Sequence, residues 1–179
     1  MINKTMDTAI VEVWSSGTAS DKQRYLFKKT WCSDAKNNMV VITIHPGSTD
    51  PFVSDLTTLF IEKHVRSLGY SGFLAVNLFS NTGSKRKMIN DENKEAIQTV
   101  LKDKSITQIV IACGSILMTN KIAYNQCKSL YEGLPAKLKK MTSLLVTDNN
   151  EIAHPLNVYS RLRWHFKEVD AFFNETDKI

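Results

Sequence analysis

Between residues 39 and 147, four short apolar runs alternate with stretches whose apolar positions recur every three or four residues. Residues 39–44, 73–79, 109–113 and 142–147 are continuous runs dominated by Val, Ile, Leu and Phe, the pattern of strands buried on both faces. After the first run, Leu56, Leu59, Phe60, Lys63, His64 and Leu68 recur at helical spacing, and Gly69 suits the end of that helix. Further helices are predicted over 91–102, 120–132 and 158–173, with His64 and His165 as structural residues on helices. Ahead of the first run, residues 9–14 alternate apolar and polar as an edge strand does. Residues 24–28 are its predicted partner across a polar turn containing Gly17 and Asp21.

Strands alternating with amphipathic helices predict an α/β fold: a three-layer α/β/α sandwich around a mostly parallel four-stranded sheet. A short N-terminal β extension, residues 1–35, packs on it within a single domain spanning 1–179. The chain has 179 residues, of which 42% are hydrophobic and 23% charged, and it lacks repeats and low-complexity tracts. A chain this long can bury roughly 70% of its unfolded surface in one core. No apolar run approaches the ~20 residues of a membrane span, and no signal-peptide pattern opens the chain, so a cytoplasmic protein without membrane association is expected. Cys32, Cys113 and Cys127 have no C-x-x-C spacing and are expected as reduced thiols. The net charge of +5 suits a polyanionic partner.

Parallel sheets bind ligands beyond the carboxyl ends of their strands, and here those ends carry the candidate chemistry. The first run stops at His45-Pro46-Gly47-Ser48-Thr49-Asp50, the second at Asn77-Leu78-Phe79-Ser80 and the third at Cys113-Gly114-Ser115. The loop after the fourth holds His154-Pro155-Leu156. Neither a phosphate loop nor a dinucleotide fingerprint is present, which disfavours a nucleotide-triphosphate enzyme, and the missing Gly-x-Ser-x-Gly elbow disfavours an α/β-hydrolase.

Across roughly residues 24–166 these motifs, with Asp55-Leu56-Thr57 and Gly69-Tyr70 between them, resemble an uncharacterised bacterial and phage domain family. Their order is also similar to the uracil-DNA glycosylase superfamily. In that superfamily a first strand ends in Gly-x-(Asp/Asn)-Pro, a second in a base-reading Asn, a third in Gly, and a late His-Pro-Ser loop supplies a His that stabilises the departing base. The resemblance implies a glycosylase-like fold and hydrolysis of the N-glycosidic bond of uracil, or another pyrimidine, in DNA without metal or other cofactor. It assigns leaving-group stabilisation to His154 and base recognition to Asn77, whose carboxamide can donate and accept at once. Flipped bases require a stacking ring and a wedge. Phe52 or Phe79 can stack, each with a core position as the alternative, and Val158 or Tyr159 can act as the wedge.

Two departures from the superfamily pattern matter. His45 stands where those enzymes carry Asp or Asn; it can hold a water, or Asp50 or Asp55 can supply the carboxylate, with Asp55 equally suited to a helix start. Gly47 replaces a Tyr that excludes 5-methyl groups, which would leave that side of the pocket open to 5-substituted pyrimidines. Lys85, Arg86, Lys87 and Arg161 would border the crevice and contact phosphates. The expectation is thus a monomeric DNA glycosylase, single- or double-stranded DNA being its partner. A non-catalytic DNA- or base-binding module of the same fold is the alternative.

Overall fold

The computed structural model describes residues 7–18, 21–32, 36–82 and 90–176, with side chains placed as far as residue 174. Among the described residues seven strands and six helices follow one another: β1 (Ile10–Thr18), β2 (Asp21–Thr30), β3 (Asn38–Thr43), α1 (Leu56–Ser67), β4 (Gly72–Asn77), α2 (Asp91–Val100), β5 (Ile106–Ile111), α3 (Ile116–Thr119), α4 (Lys121–Glu132), α5 (Ala136–Lys139), β6 (Thr142–Val146), β7 (His165–Glu168) and α6 (Val169–Thr176). The strands form one seven-stranded mixed sheet ordered β1-β2-β4-β3-β5-β6-β7.

The α/β class is as expected, but the sheet is larger than the four strands expected. Its centre, β4-β3-β5-β6, is parallel, while β1, β2 and β7 add antiparallel strands at the two edges. The predicted N-terminal extension is part of this sheet: β2 pairs with β4 from Phe27 opposite Ala75 to Thr30 opposite Gly72. All six residues of β3 and of β4 are buried, so their β-branched runs are apolar on both sides. Strand alternation sends Val40, Ile42, Leu74, Val76, Ile109 and Ile111 to one face, where α2, α4 and α6 cover them. Met39, Val41, Phe73, Ala75 and Val110 face the other side, against Ile61 and Val65 of α1.

The helix expected over 158–173 is replaced by a turn segment, then β7, then α6. The reason is the open edge of β6. A strand edge with unpaired backbone groups favours a partner over local helical spacing, and β7 supplies it, from Ser143 opposite Glu168 to Val146 opposite His165. His165 therefore stands on a strand. His64 lies on its predicted helix, buried and stacked on Trp164 at 5.1 Å between ring centroids. No helix among the described residues is long and apolar enough to cross a membrane.

Candidate functional site at the carboxyl edge of the parallel strands

From β3 the chain passes through α1 to β4 on one side, then through α2 to β5 on the other. The loops that leave β3 and β5 consequently run to opposite faces of the sheet, the arrangement beside which open α/β sheets place their ligand crevice. The loop after β3 carries His45 to Asp55, and the loop after β5 carries Gly114 and Ser115. After β6 the chain folds back, with the Ala153 N–H donating to the Leu145 carbonyl at 2.8 Å, and delivers His154 above Gly114.

Asp55 is the best-fixed acid of the crevice. It N-caps α1, its Oδ1 accepting the Thr58 N–H at 2.8 Å, a local arrangement that a carboxylate before a helix readily adopts. Its Oδ2 fills the space beside Gly47, where a Cβ would lie only 2.1 Å away. The wall expected to be open at Gly47 is therefore occupied by the Asp55 carboxylate. Asp50, by contrast, closes a surface turn: its own N–H donates to Ser48 Oγ and its Oδ1 accepts the Phe52 N–H. Phe52 stands out from that turn with 94% of its surface exposed, so it is no part of the core.

His154 is packed so closely that a Cβ on Gly114, whose φ is +73°, would come within 2.9 Å of its Cβ. The Leu156 N–H donates to its Nδ1 at 3.2 Å. A ring that accepts at Nδ1 carries its proton, when neutral, on Nε2, which makes Nε2–H a directed donor. Burial lowers the pKa of His154 and favours this neutral form, while Asp55 pulls it upward. The same carboxylate acts on Arg24, a residue of β2 that composition and spacing did not single out. Arg24 is 3% exposed, donates from Nη1 to the Ser48 carbonyl at 2.8 Å, and has its pKa lowered by burial against the raising effect of Asp55. A buried guanidinium thus anchors the loop that carries His45 and Gly47. Nothing in the sequence marks it: Asp21, Lys22 and Gln23 precede it, and Lys28 and Lys29 close the same strand.

The other expected residues are placed less simply. The His45 ring is half-buried and stacks on Phe79, 5.1 Å between centroids, which makes Phe79 a stacking partner of the protein's own imidazole. Asn77 is 1% exposed; its Nδ2 donates to Thr43 Oγ1 at 2.6 Å, tying the ends of β3 and β4 together, and its Oδ1 is buried without a partner. A cavity of about 730 Å³ borders His154 and Gly114, and neither His45 nor Asn77 lines it. The structure thus brings Asp55, Gly47, Arg24 and His154 together, pairs His45 with Phe79, and seals Asn77 into the sheet end.

Residues 158–162 form a turn segment held on α1: Lys63 Nζ donates to the Arg161 carbonyl at 2.8 Å, and the Arg161 guanidinium lies 5.6 Å over the Phe60 ring. Arg161 also donates from Nε to the Leu156 carbonyl at 2.9 Å, clamping the His154 loop. Val158 and Tyr159 are 67% and 56% exposed. Lys85, Arg86 and Lys87 lie outside the described residues. Among the described residues no group of three His, Cys, Asp or Glu side chains is arranged to hold a metal ion.

Residues 24–156 match a family described as a protein of unknown function, DUF1643. The chain belongs to the DUF1643 family. The matched segment starts at the buried Arg24 and ends at Leu156, the last residue of the His-Pro-Leu motif, so the strand-end motifs with Arg24, Gly47, Asp55 and His154 lie within this DUF1643 domain, whereas Asn157, Lys167 and Phe172 of the cavity lie beyond it. β1 and the edge formed by β7 and α6 fall outside it. No curated protein and no solved structure matches the chain.

Proposed function

We propose that this DUF1643 protein is a DNA glycosylase of the uracil-DNA glycosylase type, hydrolysing the N-glycosidic bond of uracil or another pyrimidine as a base-excision activity. The observation that carries the reading is the fixed geometry of two side chains at the carboxyl ends of the parallel strands: His154, packed on Gly114 and accepting the Leu156 N–H at Nδ1 so that Nε2 is its free donor, and Asp55, held beside Gly47. Cleavage of this bond builds positive charge on the deoxyribose and negative charge on the departing base. In the proposed reaction a water oxygen forms the new bond to the sugar C1′, the electron pair of the broken bond leaves with the base, and the base takes up a proton.

His154 donates to the pyrimidine oxygen that gains charge. A single preorganised donor of this kind is worth roughly 10²–10³ in rate. Asp55 faces the sugar cation and orients the water, the task that the superfamily pattern gives to residue 45. The fold reading follows the same resemblance: the order His45-Pro46, Asn77, Gly114 and His154-Pro155 supports it, with His45 standing in place of the pattern's Asp or Asn. Exposed Arg161, with the net charge of +5, provides phosphate contacts, and Val158 or Tyr159 provides the wedge that holds the duplex open.

Full-length protein incubated with uracil-containing oligonucleotides, single- and double-stranded, should generate alkali-labile abasic sites. Under the same conditions His154→Ala should reduce the rate at least about 100-fold. Absence of abasic sites in either strand state across pH 5–9 would defeat the proposal. The alternative, a DNA-binding module without catalysis, draws on the sealed Asn77 and on His45 lying against Phe79. It requires salt-dependent binding of the same oligonucleotides with no base release.

A further inference from the structure

The cavity beside His154 points to a different receptacle for the base from the one the motifs suggest. Its volume, about 730 Å³, falls within the range of small-ligand pockets. Leu144 of β6 and Phe172 of α6 supply an apolar floor that a flat ring can cover. Ser115, Asn150, Glu151, Asn157, Lys167 and His154 supply the polar wall. The Asn157 Oδ1 accepts the Tyr159 N–H at 3.0 Å, so the amide N–H₂ group remains to donate to a ligand. Glu151 makes no ion pair among the described residues, and its carboxylate can accept a ring N–H or an exocyclic amine. A cavity that holds a donor amide, an acceptor carboxylate and apolar side chains can match the alternating C=O and N–H edge and the flat face of a pyrimidine. Asn77, which carries the same pair of functions, is closed to solvent and engaged with Thr43.

We infer that this cavity receives the nucleobase: a pyrimidine nucleoside lies with its ring over Leu144 and Phe172 and its hydrogen-bonding edge toward Asn157 and Glu151. The inference rests on the glycosylase reading for its choice of ligand class. Binding itself is independent of bond cleavage.

The test is titration of the full chain, isotopically labelled, with uridine, thymidine and cytidine, followed by amide chemical shifts. Saturable shifts should concentrate at residues 114–118 and 150–157. Ser115→Trp, a substitution at an exposed wall position that fills the cavity without touching the core, should weaken binding at least tenfold, and Asn157→Ala should do the same. Shifts centred on residues 43–47 and 77–79 that persist in Ser115→Trp would overturn the inference, as would the absence of saturable shifts with all three nucleosides. The two proposals separate cleanly. Nucleoside binding in the cavity without base release from DNA removes the glycosylase and keeps the pocket. Base release retained at full rate in Ser115→Trp removes the pocket and keeps the glycosylase.

Discussion

Gly47 and Asp55 share a space that only one side chain can fill. A methyl group at 47 would meet Oδ2, Cγ and Cβ of Asp55 at 2.1, 2.7 and 2.9 Å, so the whole acid would have to move and its bond to the Thr58 N–H would break. Gly47→Ala is therefore expected to destabilise the protein by about 1–3 kcal/mol, the usual cost of overpacking, measured as a lower urea midpoint with unchanged slope. Asp55→Asn tests the same residue electrostatically. Asparagine caps a helix as well as aspartate does, so the fold should persist. Asp55 raises the pKa of His154 against the lowering effect of burial; once that charge is removed, the imidazole should titrate lower still in an NMR titration of its ring nitrogens. An unchanged or higher value would mean that carboxylate and imidazole are not coupled. None of this contact was legible in the chain. Asp55 and Gly47 could be named from their motifs, but that one fills the space beside the other depends on the path of the loop between them.

At the level of elements, the strand ends are held by polar staples. Asn93 of α2 is 1% exposed and donates from Nδ2 to the carbonyls of both Asn77 and Leu78, at 3.0 and 3.2 Å. Those carbonyls lie where β4 gives way to its loop. Asn93→Ala would leave them buried without that donor, at an expected cost of about 1–3 kcal/mol in urea unfolding. A loss below a few tenths of a kcal/mol would show that water replaces the amide. The four parallel strands and the longer helices between them, α1, α2 and α4, could be read from the sequence because each is long enough for its own period to show, whereas α3 and α5, four residues each, are too short to show one. The segment after His154 could not. Its apolar residues fit helical spacing, and the need of the β6 edge for a partner arises only once the sheet is assembled. Asn77 failed for a related reason: a strand-end amide looks the same in sequence whether it faces a ligand or, as here, the hydroxyl of Thr43 on the neighbouring strand.

Across the whole molecule, two histidines tie stability to pH in the same direction. His64, 4% exposed between α1 and Trp164, has its pKa lowered by burial and by Lys63, with the carbonyls of Arg161 and Ser160 opposing. His154 is lowered by burial, with Asp55 opposing. In the unfolded chain each returns to the ordinary value of 6.5. Between the folded and unfolded values the unfolded chain binds more protons, so stability must rise with pH there. The contribution is complete above the unfolded value and is lost as pH falls toward the folded ones. Thermal midpoints should therefore drop between pH 7.5 and pH 5.5, before most carboxylates titrate. His64→Gln will lower the midpoint at every pH, because the stack on Trp164 is lost, but the informative quantity is the slope, which should flatten. Further flattening in the double variant with His154→Ala would assign the remainder to the crevice, and a slope indifferent to both substitutions would mean that neither imidazole is held neutral by the fold.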